Sequence, residues 1–191
     1  MKKKTVALLL ALVLVFGVAA GGTLAWLTAQ SDTVVNTFTT SDIKVELKET
    51  TGTSYKMIPG YTITKDPKVK VLADSEECYL FVKLEKSTNF DSFMTYAMAD
   101  GWTTLPGVDD VYYRVVTADG REGTSKINVP YSVLKDDKVT VSGSVTKANM
   151  NALTEATYPT LTVTAYASQL YKSNTDKFTP AEAWANINPG T

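Results

Sequence analysis

Apolar and polar residues alternate with a period of two along most of this chain. In the segment 42–48 the apolar positions are Ile43, Val45 and Leu47, and charged residues lie between them. A later segment has the same alternation at Leu161, Val163, Ala165 and Ala167. Because successive side chains of a strand point to opposite faces of a sheet, this period is typical of strands that bury one face. The sequence therefore predicts a chain built mainly of strands.

The stretch CYLFVKLEK, residues 78–86, differs because both of its faces are apolar at its start. Such a pattern is typical of a strand in the middle of a sheet that is covered on both sides. We therefore expect this strand to be central.

Turn-forming pairs separate the predicted strands at short intervals. These pairs are Pro59-Gly60, Asp100-Gly101, Pro106-Gly107, Asp119-Gly120 and Asp136-Asp137. Asp100-Gly101 lies between two strand-like runs and predicts a hairpin, because glycine tolerates the positive φ that a tight turn needs. Many short strands with frequent turns predict an all-β fold, an antiparallel jelly-roll-like β-sandwich with one or two short helices.

Two segments predict the helices. Near the C-terminus, Thr179 has the position of an N-cap, Pro180 is the first helical residue, and Glu182 completes a capping box. The residues expected on the inward face of this helix are Ala183, Trp184 and Ile187. Residues 147–153 predict a shorter helical turn between two strands.

The first 25 residues have the three-part pattern of a secretory signal peptide. Lysines occupy positions 2–4, an apolar uncharged run covers 5–20, and small residues follow. Thr23 and Ala25 have the −3 and −1 positions that a signal peptidase reads, so Trp26 is the expected new N-terminus. An uncleaved membrane anchor is the alternative, but the apolar run is shorter than the roughly 20 residues of a spanning helix and ends in glycines.

This pattern divides the chain into a signal peptide (1–25), a mature N-terminal extended segment (26–40) and a β-sandwich domain (41–191). The signal peptide carries three lysines and no acid, so its removal changes the formal net charge from −1 to −4. A mildly acidic chain without a basic cluster lacks the electrostatic pattern of nucleic-acid binding. We expect no nucleic-acid partner, and a membrane contact only through the uncleaved signal peptide.

The sequence contains no histidine. This excludes a Ser-His-Asp triad, an HExxH zinc site and any other histidine-ligated metal site. No glycine-rich phosphate loop is present either. We therefore expect no catalytic residue, no cofactor and no metal site.

Paired carboxylates are the remaining acidic feature. The pairs are Glu76-Glu77, Asp109-Asp110 and Asp136-Asp137. Each lies at a predicted turn, where carboxylates commonly accept hydrogen bonds from backbone amides. A surface Ca²⁺ site and a glycosidase that uses paired acids are the alternatives.

Aromatic residues and the one cysteine also have two interpretations. The aromatics either pack in the sandwich or line a carbohydrate groove, and they are Trp102, Tyr112, Tyr113, Tyr131, Tyr166 and Tyr171. Cys78 has no second cysteine in the chain, which rules out an intramolecular disulfide. It is either a buried apolar residue or half of an intermolecular disulfide.

The stretch GGTLAWLTAQSDTVVNTFTTSDIKVEL, residues 21–47, resembles the signal-peptide junction and mature N-terminus of the camelysin and TasA family of secreted Gram-positive matrix proteins. That family has a Gly-Gly-Thr segment before the cut and then N-x-F-x-x-G/S-x-[ILV]-x-[ILV]-x-L as its first core strand. The matching residues are Asn36, Phe38, Ser41, Ile43, Val45 and Leu47. Pro59-Gly60 and Lys65-Asp66 are similar to the family's KPGDxxTKDFxF segment.

The resemblance implies export through a SipW-type signal peptidase, a jelly-roll sandwich, and a role as a fibre subunit of the biofilm matrix or cell surface. Subunits of such fibres exchange strands, so the expected partner is another copy of the chain. The residues agree with this, because the segment 26–40 is extended in pattern and nearly uncharged. Its candidate donor side chains are Leu27, Val34, Val35 and Phe38. An ordinary first strand within its own sandwich is the alternative.

Camelysin relatives also have a metallopeptidase label, which the lack of histidine does not support. The sequence therefore predicts a non-catalytic structural protein that is secreted to the extracellular matrix or cell surface of a Gram-positive bacterium. The alternative function is a secreted carbohydrate- or protein-binding β-sandwich module.

Overall fold

The computed structural model describes residues 42–52 and 54–187. The predicted signal peptide 1–25 and the extended segment 26–40 lie outside the described residues. The strands are β1 (Val45–Lys48), β2 (Thr62–Thr64), β3 (Lys68–Val71), β4 (Cys78–Lys86), β5 (Met94–Met98), β6 (Thr103–Thr104), β7 (Val111–Thr117), β8 (Ser125–Lys126), β9 (Tyr131–Ser132), β10 (Leu134–Val141) and β11 (Leu161–Gln169). The helices are α1 (Phe90–Phe93), α2 (Lys147–Asn151) and α3 (Pro180–Ile187), and Glu155–Thr157 form a 3-10 turn.

The front layer is a sheet in the order β11-β4-β7-β6, with β8 parallel to β7. β4 pairs with β11 along nine residues, from Leu161 opposite Lys86 to Gln169 opposite Cys78. The central position expected for β4 is therefore confirmed.

The back layer contains the sheets β1-β3-β9 and β2-β10-β5. The chain passes directly from one sheet to the other twice, because residues 65–67 join β2 to β3 and Val133 joins β9 to β10. All pairs in both sheets are antiparallel. The all-β antiparallel sandwich expected from the sequence is confirmed.

Two hydrophobic cores cover the two faces of β4. Its even-numbered residues, such as Leu80 and Leu84, pack with Val69 and Val139 of the back layer. The odd-numbered residues Tyr79 and Phe81 pack with a second cluster that contains α3. This explains why the sequence of β4 is apolar on both faces.

The capping box predicted for α3 is present. The Thr179 amide donates to the Glu182 carboxylate at 2.8 Å, and the Glu182 amide donates to Thr179 Oγ1 at 3.3 Å. Trp184 packs at 5.2 Å from the ring of Phe81, and Ala183 is buried beside it. α2 lies within the predicted segment 147–153, whereas the four-residue helix α1 was not predicted.

Two turn predictions need correction. Gly101 has the expected positive φ of 84°, but β5 pairs with β10 while β6 pairs with β7, so this turn crosses between layers and forms no hairpin. Asp136 and Asp137 lie inside β10, where both have a positive φ and the register with β5 shifts. Aspartate tolerates the left-handed region, which allows a bulge where the sequence indicated a turn.

None of the helices within residues 42–52 and 54–187 is long and apolar enough to cross a membrane.

Candidate functional site

β11 forms one edge of the front sheet. Its nine residues, LTVTAYASQ, pair in unbroken register with β4, and no other backbone in the described part of the chain pairs with its outer edge. Natural proteins usually block a sheet edge with a charged residue, a proline or a bulge. β11 contains none of these, and its outer edge forms no backbone pair in the described part of the chain, although β1 packs beside it.

The apolar face of β11 is already fixed by the core. Leu161, Val163, Ala165 and Ala167 all pack against the cluster between the two layers. A strand of nine residues is about 30 Å long. An incoming strand would therefore meet a rigid template of that length.

Other sheet edges in residues 42–52 and 54–187 are less suited to strand addition. β1 carries Glu46 and Lys48, which form a 2.8 Å ion pair, and β2 and β6 have three and two residues. β5 is also uncharged, but it has only five residues, and its course is fixed by α1 before it and by the crossing turn after it.

An apolar groove of about 860 Å³ opens beside Leu161, the first residue of β11. Its floor consists of side chains that also belong to the core between the layers: Ile63, Phe90, Met94 and Val139. Its walls are the segment 54–58 and the segment 153–161. At this place the core between the layers lies directly beneath the surface next to β11, with Phe90 and Val139 almost fully buried.

Asp66 holds the chain segment that leads into the first wall. Its carboxylate accepts hydrogen bonds from the backbone amides of Thr50 at 2.9 Å and Thr51 at 3.0 Å, and from both hydroxyls. These hydrogen bonds hold the pKa of Asp66 well below its usual range, and the one from the Thr50 hydroxyl contributes most. Lys65 forms a 2.9 Å ion pair with Glu49 in the same segment. We call these contacts of Lys65 and Asp66 the loop clamp.

The residues that carry the resemblance to the camelysin and TasA family differ in how deeply they are buried. Ile43 and Val45 pack against the core, but Leu47 is 38% exposed. Pro59 and Gly60 form the turn before β2, and Gly60 has a φ of 77°. The remaining predicted site residues lie outside the described residues, and they are Thr23, Ala25, Trp26, Leu27, Val34, Val35, Asn36 and Phe38.

A polar crevice of about 590 Å³ lies at the opposite end of β11, beside Gln169. It is lined by Asp42, Glu76 and Glu77, among others. Arg121 binds Glu77 at 2.9 Å and lowers the pKa of its carboxyl group. A carboxyl group with a lowered pKa is a poor general acid at neutral pH, so this crevice gives little support to the paired-acid glycosidase.

The other two acidic pairs lie in a turn and in a bulge. The carbonyl of Asp110 accepts a hydrogen bond from the Leu84 amide, and Asp137 lies in the β10 bulge. Within residues 42–52 and 54–187, no three acidic or cysteine side chains converge where they could hold a metal ion.

The six aromatic residues considered for carbohydrate binding are all partly buried. Trp102 and Tyr112 pack against the core between the layers, and Tyr113, Tyr166 and Tyr171 pack against the cluster around α3. Tyr131 lies over the guanidinium of Arg114. Packing therefore accounts for all six.

The exposed aromatics are residues that the pattern analysis missed. Tyr61 and Tyr158 are 64% and 53% exposed, and Tyr158 lies on the rim of the groove. Each lies in a segment next to a proline and not in a strand of alternating apolar and polar residues. This position is the sequence signal that could have identified the two exposed tyrosines.

No protein-family model matches this chain, and no curated protein and no solved structure matches it. Function is therefore inferred from the geometry of the chain itself and from the motifs that resemble the camelysin and TasA family.

Proposed function

We propose that this chain is an exported, non-catalytic structural protein that forms fibres in the extracellular matrix or on the surface of a Gram-positive bacterium. In these fibres the N-terminal segment 26–40 of one copy pairs with the edge of β11 in the next copy. The observation that carries the proposal is the nine-residue, uncharged edge of β11, which pairs with no other described strand. The motifs that resemble the camelysin and TasA family support the same function.

Strand addition suits this edge for a physical reason. Alternate N–H and C=O groups of an edge strand point away from the sheet, and a second extended chain satisfies them with main-chain hydrogen bonds. Residues 26–40 reach up to about 50 Å when extended, which exceeds the length of β11. Because donor and acceptor are different surfaces, the contact repeats without closing and produces a filament.

Export provides the donor segment. Cleavage after Ala25 by a SipW-type signal peptidase would release Trp26 as a free N-terminus. The segment 26–40 carries one charged side chain, Asp32, and five large apolar ones. It therefore has the composition of a strand that is buried on addition to a sheet.

The experiment compares two exposed threonines on two edge strands, Thr162 on β11 and Thr95 on β5. The chain beginning at Trp26 should form filaments, measured by light scattering and electron microscopy. Thr162→Lys should slow filament growth by about ten-fold, because a lysine on an edge opposes strand addition. Thr95→Lys should leave growth unchanged. A wild-type chain that stays monomeric at every concentration, or equal effects of the two substitutions, would refute the proposal.

The exposed Tyr158 at the groove rim favours a second function, recognition of a carbohydrate or protein ligand. Flat aromatic rings stack on sugar faces and serve as anchors in protein interfaces. Binding of the wild-type chain on a glycan array, lost in Tyr158→Ala and kept in Tyr61→Ala, would establish this function in place of assembly.

A further inference from the structure

We propose that the pair Asp100-Gly101 is a site of spontaneous backbone modification, at which the chain isomerises to isoaspartate, and that Arg114 directs the reaction to this product. Asp100 and Gly101 form the turn that crosses between the layers, from β5 to β6. The inference goes beyond the proposed function and does not depend on it.

The reaction uses only the chain and water. The Gly101 amide nitrogen attacks the side-chain carboxyl carbon of Asp100, a water molecule leaves, and a cyclic imide forms. Water then adds to one of the two imide carbonyls. Addition at the former side-chain carbonyl regenerates aspartate. Addition at the former main-chain carbonyl breaks its bond to the Gly101 nitrogen, so the chain continues through the Asp100 side chain and the main-chain carbon becomes a free carboxylate.

The chain itself provides a matched comparison, because it contains two Asp-Gly pairs. They are Asp100-Gly101 and Asp119-Gly120, and an alanine precedes each of them. Their local sequences give the two pairs a similar intrinsic tendency to isomerise. A difference between them in the folded chain therefore comes from the structure around each pair.

Hydrogen bonds protect the pair Asp119-Gly120. The Asp119 carboxylate accepts from the Arg121 amide at 3.2 Å and from the Thr117 hydroxyl at 3.1 Å, and these bonds lower the pKa of Asp119. Ring closure needs the protonated carboxyl group, because an ionised carboxylate is a poor electrophile, and such hydrogen bonds disfavour the protonated form. The attacking group is held as well, since the Gly120 amide donates to Thr117 Oγ1 at 3.1 Å.

The pair Asp100-Gly101 lacks this protection. Both residues are exposed, and within residues 42–52 and 54–187 no hydrogen bond or ion pair holds the Asp100 carboxylate or the Gly101 amide. Gly101 has no side chain to obstruct the attack, and a Cβ at this position would lie 3.1 Å from Arg114 Nη2. The nucleophile and the electrophile of the ring closure are therefore both free.

Arg114 determines which carbonyl of the imide takes up water. Its Nη2 donates to the main-chain carbonyl oxygen of Asp100 at 3.0 Å, and this carbonyl becomes the carboxylate of isoaspartate. A cationic donor at this oxygen stabilises the negative charge that develops there while water adds. The same donor then stabilises the carboxylate that results.

The burial of Arg114 favours the product further. Arg114 is 6% exposed, and in the described part of the chain it forms no salt bridge and its Nε has no hydrogen-bond partner. Buried charged side chains are seldom left without a partner of opposite charge. Isomerisation moves the negative charge of Asp100 from an exposed side chain to the position beside Arg114, so it supplies the ion pair that the unmodified chain lacks.

Peptide mapping by mass spectrometry, with a fragmentation method that distinguishes isoaspartate from aspartate, tests the site. One sample of the purified chain is kept folded at neutral pH for several weeks, and a second sample is kept in concentrated urea. In the folded chain isoaspartate should accumulate about five-fold faster at position 100 than at position 119, because hydrogen bonds hold only the second pair. In urea the two rates should be similar. Absence of isoaspartate at position 100, or the same ratio of the two rates in folded and unfolded chain, would overturn the proposal.

Hydrolysis in water labelled with heavy oxygen tests the role of Arg114. The label marks every product of the imide, so the ratio of labelled isoaspartate to labelled aspartate at position 100 reports which carbonyl took up water. This ratio should fall about three-fold in Arg114→Met, which has no donor, and Arg114→Lys should restore part of it.

Ser125→Ala is the matched control, because it removes the other side-chain hydrogen bond of Arg114 and leaves the one to the Asp100 carbonyl in place. Its ratio of labelled products should equal that of the wild type. Equal ratios in the wild type and Arg114→Met, or an equal fall in Ser125→Ala, would overturn the role of Arg114.

Discussion

The guanidinium carbon of Arg114 lies 4.3 Å from the ring centroid of Trp102 and 4.3 Å from that of Tyr131. Arg114 is 6% exposed on β7, and it donates to the Asp100 carbonyl at 3.0 Å and to Ser125 Oγ at 3.3 Å. Burial lowers the pKa of Arg114 to about 10, so the side chain stays protonated at neutral pH. Within residues 42–52 and 54–187 it forms no salt bridge, and two aromatic rings and neutral oxygens stabilise its charge.

We expect Arg114→Ala and Arg114→Met to differ in stability. Alanine removes two cation–π contacts and leaves a cavity, so the free energy of unfolding should fall by about 3 kcal/mol. Methionine fills most of the volume and removes the cost of burying a charge, so its loss should stay below about 1 kcal/mol. Urea unfolding measures both values. Equal losses would mean that the charge, and not the packing, stabilises this site.

The strands and α3 could be predicted because their determinants are local. Alternation in β11, the apolar faces of β4 and the capping box of Thr179 and Glu182 can all be read from neighbouring residues. The Asp100-Gly101 turn itself was also predicted correctly. Its role in the fold was predicted wrongly, because a turn sequence specifies a local bend but does not specify which distant strands pair on either side of it.

The candidate site was harder to predict for the same reason. The lack of charge in β11 is visible in the sequence, but its position at a sheet edge depends on long-range pairing. The groove joins Ile63, Phe90, Val139 and Leu161, which come from separate parts of the chain. Lys65 and Asp66 stood out only as a motif, and their structural role became clear from their contacts with 49–51.

Gly120 should tolerate alanine worse than Gly107 does. Both have a positive φ, 64° and 78°, which costs an L-residue about 1–2 kcal/mol. A Cβ at Gly120 would also lie 2.8 Å from Lys126 Cβ, whereas a Cβ at Gly107 would meet nothing within 4 Å. Thermal or urea unfolding should therefore show a larger loss for Gly120→Ala, by about 1–2 kcal/mol. Equal losses would show that Lys126 moves aside freely.

Asp66→Ala should release the segment that leads into the groove wall. The Thr50 and Thr51 amides both donate to Asp66, so their hydrogen exchange should become about ten-fold faster or more once the acceptor is removed. Asp91→Ala removes an exposed carboxylate that binds Lys86, and it is the matched control. Exchange measured by mass spectrometry would contradict the clamp if residues 49–52 were equally protected in both variants.

Cys78 should be unreactive in the folded protein. It is fully buried, and burial raises its pKa to about 12, so the reactive thiolate is scarce at neutral pH. A thiol reagent should label it only in concentrated guanidinium chloride, and the chain should migrate as a monomer on a non-reducing gel. Rapid labelling without denaturant, or a disulfide-linked dimer of the wild-type chain, would favour the intermolecular disulfide.

Acid should weaken the attachment of α3. The hydrogen bond from Lys172, together with those from Thr179, lowers the pKa of Glu182 from 4.5 to about 2. Because the folded chain favours the carboxylate, this contribution to stability is complete above about pH 5 and is lost as the pH falls through 4.5 to about 2. Asp66 and Glu77 act in the same direction, since their pKa values are lowered too.

The substitution Glu182→Gln isolates this contribution, because glutamine keeps a capping-box side chain but does not titrate. Its melting temperature should fall less than that of the wild type between about pH 5 and pH 2, and it should already be lower at neutral pH. Glu85→Gln, on an exposed residue that caps no helix, should reproduce the wild-type profile. If Glu182→Gln and the wild type lost the same number of degrees over this range, Glu182 would not be the group through which acid weakens α3.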